Sequence, residues 1–352
     1  MTDDKQGIKI TLEDLDNVRA PEAARPAVDA DPTKPKVYGT INSQPDAPAM
    51  EQEKKGSIWL KGWFYLGFAG FMGGFLAWGI CEPGFVDGGG GGERWGNILL
   101  VPMVVTFICI FLSIAESIVE RSLTRALKKG GLSLVLGVVL GFVFMGVANV
   151  VFNIALMIVQ EMGLLAPKNP AFWVARGIAW AVFGVAGGIV YGLAGQSMKK
   201  GQYGVIGGLI GAGIGGTIFD PIALGMDGAA GSRAVGFAIF GLATGVAIGI
   251  VESAFKERWL YVASGPLAGK QFILYKPVTI IGSRQECDIY LFKDTSVSPQ
   301  HAVLEARGPH VQITAMGEVY VSGSPVRTRV LQNGDLIQIG RYAFRYQERQ
   351  KK

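Results

Sequence analysis

VTIIGSRQECDIYLFKDTSVSPQHA, residues Val278 to Ala302, decides how this chain is read. A β-branched run, Val278 to Ile281, ends in Gly282-Ser283-Arg284. A short polar link leads to Asp288-Ile289-Tyr290-Leu291, which has the character of another strand. Ser296-Val297-Ser298-Pro299-Gln300-His301-Ala302 follows, and Leu331-Gln332-Asn333-Gly334-Asp335-Leu336-Ile337-Gln338-Ile339-Gly340 closes the pattern downstream. Apolar and polar residues alternate in short runs, punctuated by Gly, Asp, Pro and Ser. That is the signature of a small all-β sandwich or barrel.

The order I-G-x-x, C-D-I, S-x-x-H-A and L-x-x-G-D-x-I-x-I-G resembles the forkhead-associated (FHA) domain. The resemblance covers Trp259 to about Gln347, and Gly265-Pro266-Leu267-Ala268-Gly269-Lys270 fits the first hairpin of that family. It implies a β-sandwich whose loops recognise phosphothreonine. A phosphate carries nearly two negative charges and three strong acceptors, so it calls for a guanidinium, a hydroxyl and backbone N–H groups converging from loops. In the family an Arg right after the Gly and the Ser of S-x-x-H touch the phosphate. The His supports the loop from behind, and an Asn on a later loop holds the peptide backbone. Carried onto this chain, Ser283, Arg284 and Ser298 become the phosphopeptide-binding residues, with Gly282 and His301 as loop support. Two departures matter. Ser283 occupies the place of the Arg, which comes one residue later at Arg284, and Met316 to Gly323 holds no Asn. Phosphothreonine binding and phospho-independent docking therefore both stay open, since a fold does not by itself determine a ligand.

The rest of the chain belongs to a different solvent. It has 352 residues, 51 of them Gly, is 49% hydrophobic and has a mean hydropathy of +0.33. Those values point to a multi-span membrane protein. The net charge of +5 is modest, and the basic residues flank apolar spans rather than forming a nucleic-acid stripe. Cys81, Cys109 and Cys287 lie far apart, and His301 and His310 are the only histidines. No metal-ligand cluster is implied, and no cofactor. No nucleophile–base pair or paired catalytic carboxylates stand out, which argues against an enzyme. The polar, acidic N-terminus lacks the features of a cleavable signal peptide.

Residues 1–56 are rich in Asp, Glu, Pro, Ala and Lys and read as a disordered tail, with one apolar island from Ile8 to Leu15. Six membrane helices are expected at about 58–80, 96–119, 131–160, 172–196, 202–222 and 233–254, in a membrane domain covering 57–255. The FHA-like domain is expected at 259–348. Basic residues cluster on one side: Lys54, Lys55 and Lys61, then Arg121, Arg125, Lys128 and Lys129, then Lys199 and Lys200, then Lys256 and Arg258. The positive-inside rule puts that side, and both termini, in the cytoplasm of an inner-membrane protein.

The spans share a pattern. Gly184, Gly188 and Gly192 follow Arg176 at the same offsets at which Gly241, Gly245 and Gly249 follow Arg233. A spacing of four puts each set on one helix face. Such faces are expected to pack helices closely, because lipid offers no hydrophobic drive between them. The expected repeat unit is a helical hairpin used three times. Gly211 to Gly216 matches G-x-G-x-x-G, but it lies inside an apolar span without a βαβ setting, so the dinucleotide reading is set aside. Glu116 and Glu252 sit near the cytoplasmic interface, where Glu252 is expected to pair with Lys256.

The function expected from these features is non-enzymatic: recruitment of a cytoplasmic protein to the membrane, through phosphothreonine on the family's pattern. Thr11, with Asp14 three residues on, makes the chain's own tail a second candidate ligand. The alternatives are a small channel or transporter regulated by the FHA domain, or a structural subunit of a membrane complex using phospho-independent docking.

Overall fold

Long apolar runs become helices and the alternating runs become strands, and the two classes do not mix along the chain. The computed structural model describes residues 56–87 and 94–349. Thr11, the island around it and the glycine run after Asp87 lie outside the described residues. The helices are α1 Gly62–Cys81, α2 Trp95–Val119, α3 Leu123–Glu161, α4 Pro170–Ala194, α5 Met198–Gly225 and α6 Ala229–Phe255. All six are long and apolar enough to cross a membrane. Their starts follow local chemistry: the Ser122 and Ser197 hydroxyls accept from the backbone N–H three residues on, and Asn169 caps α4 ahead of Pro170.

The third span differs from its expected bounds. It begins at Leu123, not near residue 131, and runs 39 residues. Gly130-Gly131 does not break it, and Arg125, Lys128 and Lys129 form its first turns. The helix also shows an open flank, with Leu127, Leu132, Val135, Val139, Val143 and Val150 all exposed.

Each helix packs against the next, and α6 closes the ring on α1. The glycine sets meet neighbouring backbone across hairpin boundaries. A Cβ on Gly184 would overlap the Gly208 carbonyl, and one on Gly188 or Gly192 would strike Val205 or Gly201, all on α5. On α6, Gly241, Gly245 and Gly249 meet Gly70, Leu66 and Trp63 of α1 in the same way. Trp180 sits among Phe219, Phe237 and Phe240 inside the ring. At the end away from the sandwich, Arg176 Nε lies 3.0 Å from Asp220 Oδ2 and Arg233 Nη2 lies 2.5 Å from Glu82 Oε1.

Two residues, Lys256 and Glu257, separate α6 from the first strand. The strands are β1 Arg258–Ser264, β2 Gln271–Ile273, β3 Val278–Gly282, β4 Ile289–Tyr290, β5 Ala302–Arg307, β6 His310–Ala315, β7 Val319–Val321, β8 Ser324–Pro325, β9 Thr328–Leu331, β10 Leu336–Ile339 and β11 Tyr342–Glu348. One sheet has the order β2-β1-β11-β10-β7-β8 and the other β4-β3-β5-β6-β9. Inward positions alternate with outward ones along β11, where Tyr342, Phe344 and Tyr346 are fully buried. The Tyr342 hydroxyl donates to the Phe292 carbonyl at 2.7 Å, so its burial leaves no orphan polar group. The last strand returns to the first helix–strand junction: Arg349 donates to the carbonyls of Glu257 and Ala254. Helices and sandwich belong to one compact unit.

Candidate functional site

The β3–β4 loop and the β4–β5 loop form one rim. Ser283 N donates to the Ser298 carbonyl at 3.0 Å, and Arg284 N reaches the Pro299 carbonyl at 3.4 Å. The Cys287 thiol also turns to that carbonyl, at 3.2 Å. Burial pushes the Cys287 thiol above its ordinary value, so it stays protonated as the donor. Gly282 makes the approach possible, since a Cβ there would overlap the Pro299 carbonyl.

His301 lies behind the rim and is buried. Its Nδ1 accepts from Ser298 N at 3.0 Å, which assigns the proton to Nε2, and Nε2 donates to the Glu318 carbonyl at 2.9 Å. One ring therefore holds two loops together. Gly317 lies flat on that ring, where a Cβ would collide with it. At this point the expected Asn is absent, and Gly317-Glu318 turns the chain towards β7 instead. A hollow of about 280 Å³ lined by Gly317 to Tyr320 and Pro325 to Arg327 opens beside it. Sequence reading did not single out Arg327, an exposed cation on its edge.

The structure thus puts Ser283, Arg284 and Ser298 on adjoining loops. The Arg284 side chain is 60% exposed, with Glu286 4.0 Å away. Asp294 anchors the far side of the rim by accepting from Ser296 N, Ser296 Oγ and Arg341 N. Burial raises the Asp294 carboxyl, but those hydrogen bonds outweigh it and hold it below the usual aspartate range.

The other face of the β3–β4 loop is taken by the helices. Gln285 accepts from Ser122 Oγ at 3.2 Å through its carbonyl and from Thr124 N at 3.1 Å through its side chain. Arg125 Nη1 donates to the Asp288 carbonyl at 2.9 Å. Beneath these contacts Lys270 and Glu120 pair at 2.5 Å with side chains only 1% and 2% exposed, and Arg125 joins the same carboxylate. No sequence signal pointed to this junction, because its partners are 150 residues apart.

One expectation is corrected here. Glu252 does not pair with Lys256. It is buried among Lys200, Tyr275 and Tyr191, while Lys256 donates to Gln271 and lies 4.3 Å over Trp259. The Tyr275 hydroxyl, raised by burial and by the nearby Glu252 and Glu116, stays neutral. Glu116 meets Lys200 at 2.6 Å and Lys129 at 3.5 Å.

Residues 261–350 match the family described as the cytoplasmic domain of an inner membrane component of T3SS. The glycogen accumulation regulator GarA of Mycolicibacterium smegmatis is 40% identical over 86 residues, 24% of this chain and 54% of that one. An oxoglutarate dehydrogenase inhibitor of Corynebacterium efficiens is 40% identical over 86 residues, 24% of this chain and 60% of its own. This chain spans only about half to three-fifths of the length of these curated relatives. The FHA domain of a Chlamydia trachomatis protein is 27% identical and superposes with a TM-score of 0.25, covering 27% of this chain and 99% of that one. The C-terminal two-sheet sandwich is similar to forkhead-associated domains of known structure. In this chain the FHA-like sandwich follows six helices that are long and apolar enough to cross a membrane.

Proposed function

We propose that the chain is a non-catalytic membrane adaptor whose cytoplasmic FHA domain recruits a threonine-phosphorylated protein to the inner membrane. The observation that carries this reading is the rim itself. A half-exposed guanidinium at Arg284 stands on a loop hydrogen-bonded to the loop of Ser298, with His301 holding the second loop rigid. A phosphate at that rim would find a cation, a hydroxyl and a preorganised backbone. The names of the relatives, a regulator and an enzyme inhibitor, support a module that acts by binding other proteins. The glycine faces meet backbone rather than a polar path, which favours this reading over a channel.

The charge asymmetry puts both termini and the loops at Arg125 and Lys199 in the cytoplasm. Reporter fusions at Gly90, Lys168 and Gly228 should all report the opposite side, and a cytoplasmic signal at any one of them would overturn the topology.

Titration of the full chain in detergent with the Thr11 peptide and a phosphothreonine peptide library tests recognition. Phosphorylated forms should bind and their plain forms should not. A second reading, phospho-independent docking within a membrane assembly, is favoured by one observation: Gly317 packs on His301 where the family keeps its peptide-holding Asn. Equal binding of both peptide forms would support that reading and remove the first.

A further inference from the structure

The junction between helices and FHA domain encloses a cavity of about 300 Å³. It lies between the cytoplasmic ends of α2 to α5 and the β2–β4 edge of the sandwich. That size is at the lower end of small-molecule sites. Its walls carry five cations, Arg125, Lys128, Lys129, Lys200 and Lys276, against three carboxylates, Glu116, Glu286 and Asp288.

The pairing inside is unequal. Glu116 serves both Lys200 and Lys129, at 2.6 and 3.5 Å. Asp288 takes Lys276 at 2.8 Å, and Arg125 is held by Glu120 and the Asp288 carbonyl. The Glu286 carboxylate is 55% exposed and lies nearest Arg284, so water screens it from the cavity. Lys128 has no ion pair among the described residues. Lys200 also faces the buried Glu252, which leaves Glu116 to Lys129, so the excess positive charge at the α3 wall is that of Lys128. Low-dielectric walls focus such a field and draw in an anion.

The opening tells what kind. Lys128 and Leu132 sit together on the flank of α3, Leu132 is 44% and Leu127 68% exposed, and the exposed valines continue along the same helix. A cationic pocket at the cytoplasmic end of a membrane helix, with an apolar track leading away from it, has the layout that holds a lipid headgroup. Lysine acts on phosphate as a point charge and needs no bidentate geometry.

We infer that this cavity is a binding site for a phosphate-bearing anion, held between Lys128 and Lys129 of α3 and Lys276 of the FHA domain. Such an anion would bridge the two regions and hold the sandwich against the helices. The inference stands apart from peptide recognition, because Lys128, Lys129 and Lys276 all lie outside the rim.

The test uses the full chain in two arms. In the first, the protein is placed in phosphatidylcholine nanodiscs with and without phosphatidylglycerol, and retained lipid is read by native mass spectrometry after extraction. In the second, inorganic phosphate is added to protein in neutral detergent and the unfolding midpoint is followed. Retention of phosphatidylglycerol over phosphatidylcholine identifies a lipid source. A saturable rise in midpoint with phosphate alone identifies a soluble one, and either supports the site. Lys128→Ala, an exposed and unpaired position that should fold normally, should weaken the active arm about fivefold. Lys61→Ala, a cation on the same side but outside the cavity, should change nothing. Silence in both arms, or equal weakening by Lys61→Ala, would overturn the site.

Discussion

The helical ring and the C-terminal sandwich are held together by different means. In the ring the tightest contacts are made where side chains are missing, at Gly70 against Gly241 and Gly184 against Gly208. In the sandwich the core is filled by large side chains, among them Tyr342, Phe344 and Tyr346, each fully buried. The reason lies in the solvent. Water drives apolar area into a core, so bulk is favourable in the sandwich. Lipid gives no such drive, and dispersion between closely approaching backbones takes its place. Charge follows the same division. It is confined to the two ends of the ring, and at the end facing the sandwich it becomes the joint.

That contrast can be broken most sharply at the joint. Lys270→Met leaves Glu120 buried with only Arg125 beside it and should destabilise the protein by about 3 kcal/mol or more. Lys199→Met removes a pair with Glu257 whose side chains are 50% and 60% exposed, and should cost less than about 1 kcal/mol. Chemical unfolding of both variants, followed by tryptophan fluorescence, checks the difference. Similar losses would mean that burial does not distinguish the two pairs.

The ring comes next. Gly245→Leu and Gly188→Leu force a side chain into the backbone of a neighbouring helix and should lower stability by roughly 1–3 kcal/mol. Gly146→Leu, where a Cβ meets nothing within 4 Å, should leave it unchanged. Thermal denaturation in one detergent compares the three. A uniform response would remove close packing as the role of these faces.

At the rim the effect is on affinity. Arg284→Ala should weaken phosphothreonine peptide binding by about 1.5–3 kcal/mol, roughly ten- to a hundredfold, with stability unchanged. Calorimetric titration reads it, and undiminished affinity would move the phosphate contact elsewhere, with Arg327 the next cation to test.

The smallest effect is set by pH. The Asp294 carboxyl is held below its unfolded value, so its ionised form contributes stability that is fully present above the unfolded value. That contribution fades as pH falls through the lower folded one. Asp294→Asn should therefore cost stability at neutral pH and less in strong acid. Unfolding midpoints of both proteins across acid pH should converge; a constant gap would exclude titration of Asp294.

The sequence by itself determined the six spans, because a run of about twenty apolar residues is a one-dimensional property. It also pointed to the FHA-like sandwich, because Gly282, Ser298, His301 and Gly334-Asp335 stand at recognisable spacings within a single short region. It placed the start of α3 too late, since Lys128-Lys129-Gly130-Gly131 has the composition of a loop and is helical only because Ser122 caps it and the sandwich contacts its first turn. It paired Glu252 with Lys256 because they stand one helical turn apart, whereas folding brought Lys200 and Tyr275 to that carboxylate. Only the tertiary structure decided the joint of Lys270 with Glu120 and the cationic cavity beside it. Those groups come from separate helices and strands, and their energies depend on burial and on partners far away in the chain, which no local pattern encodes.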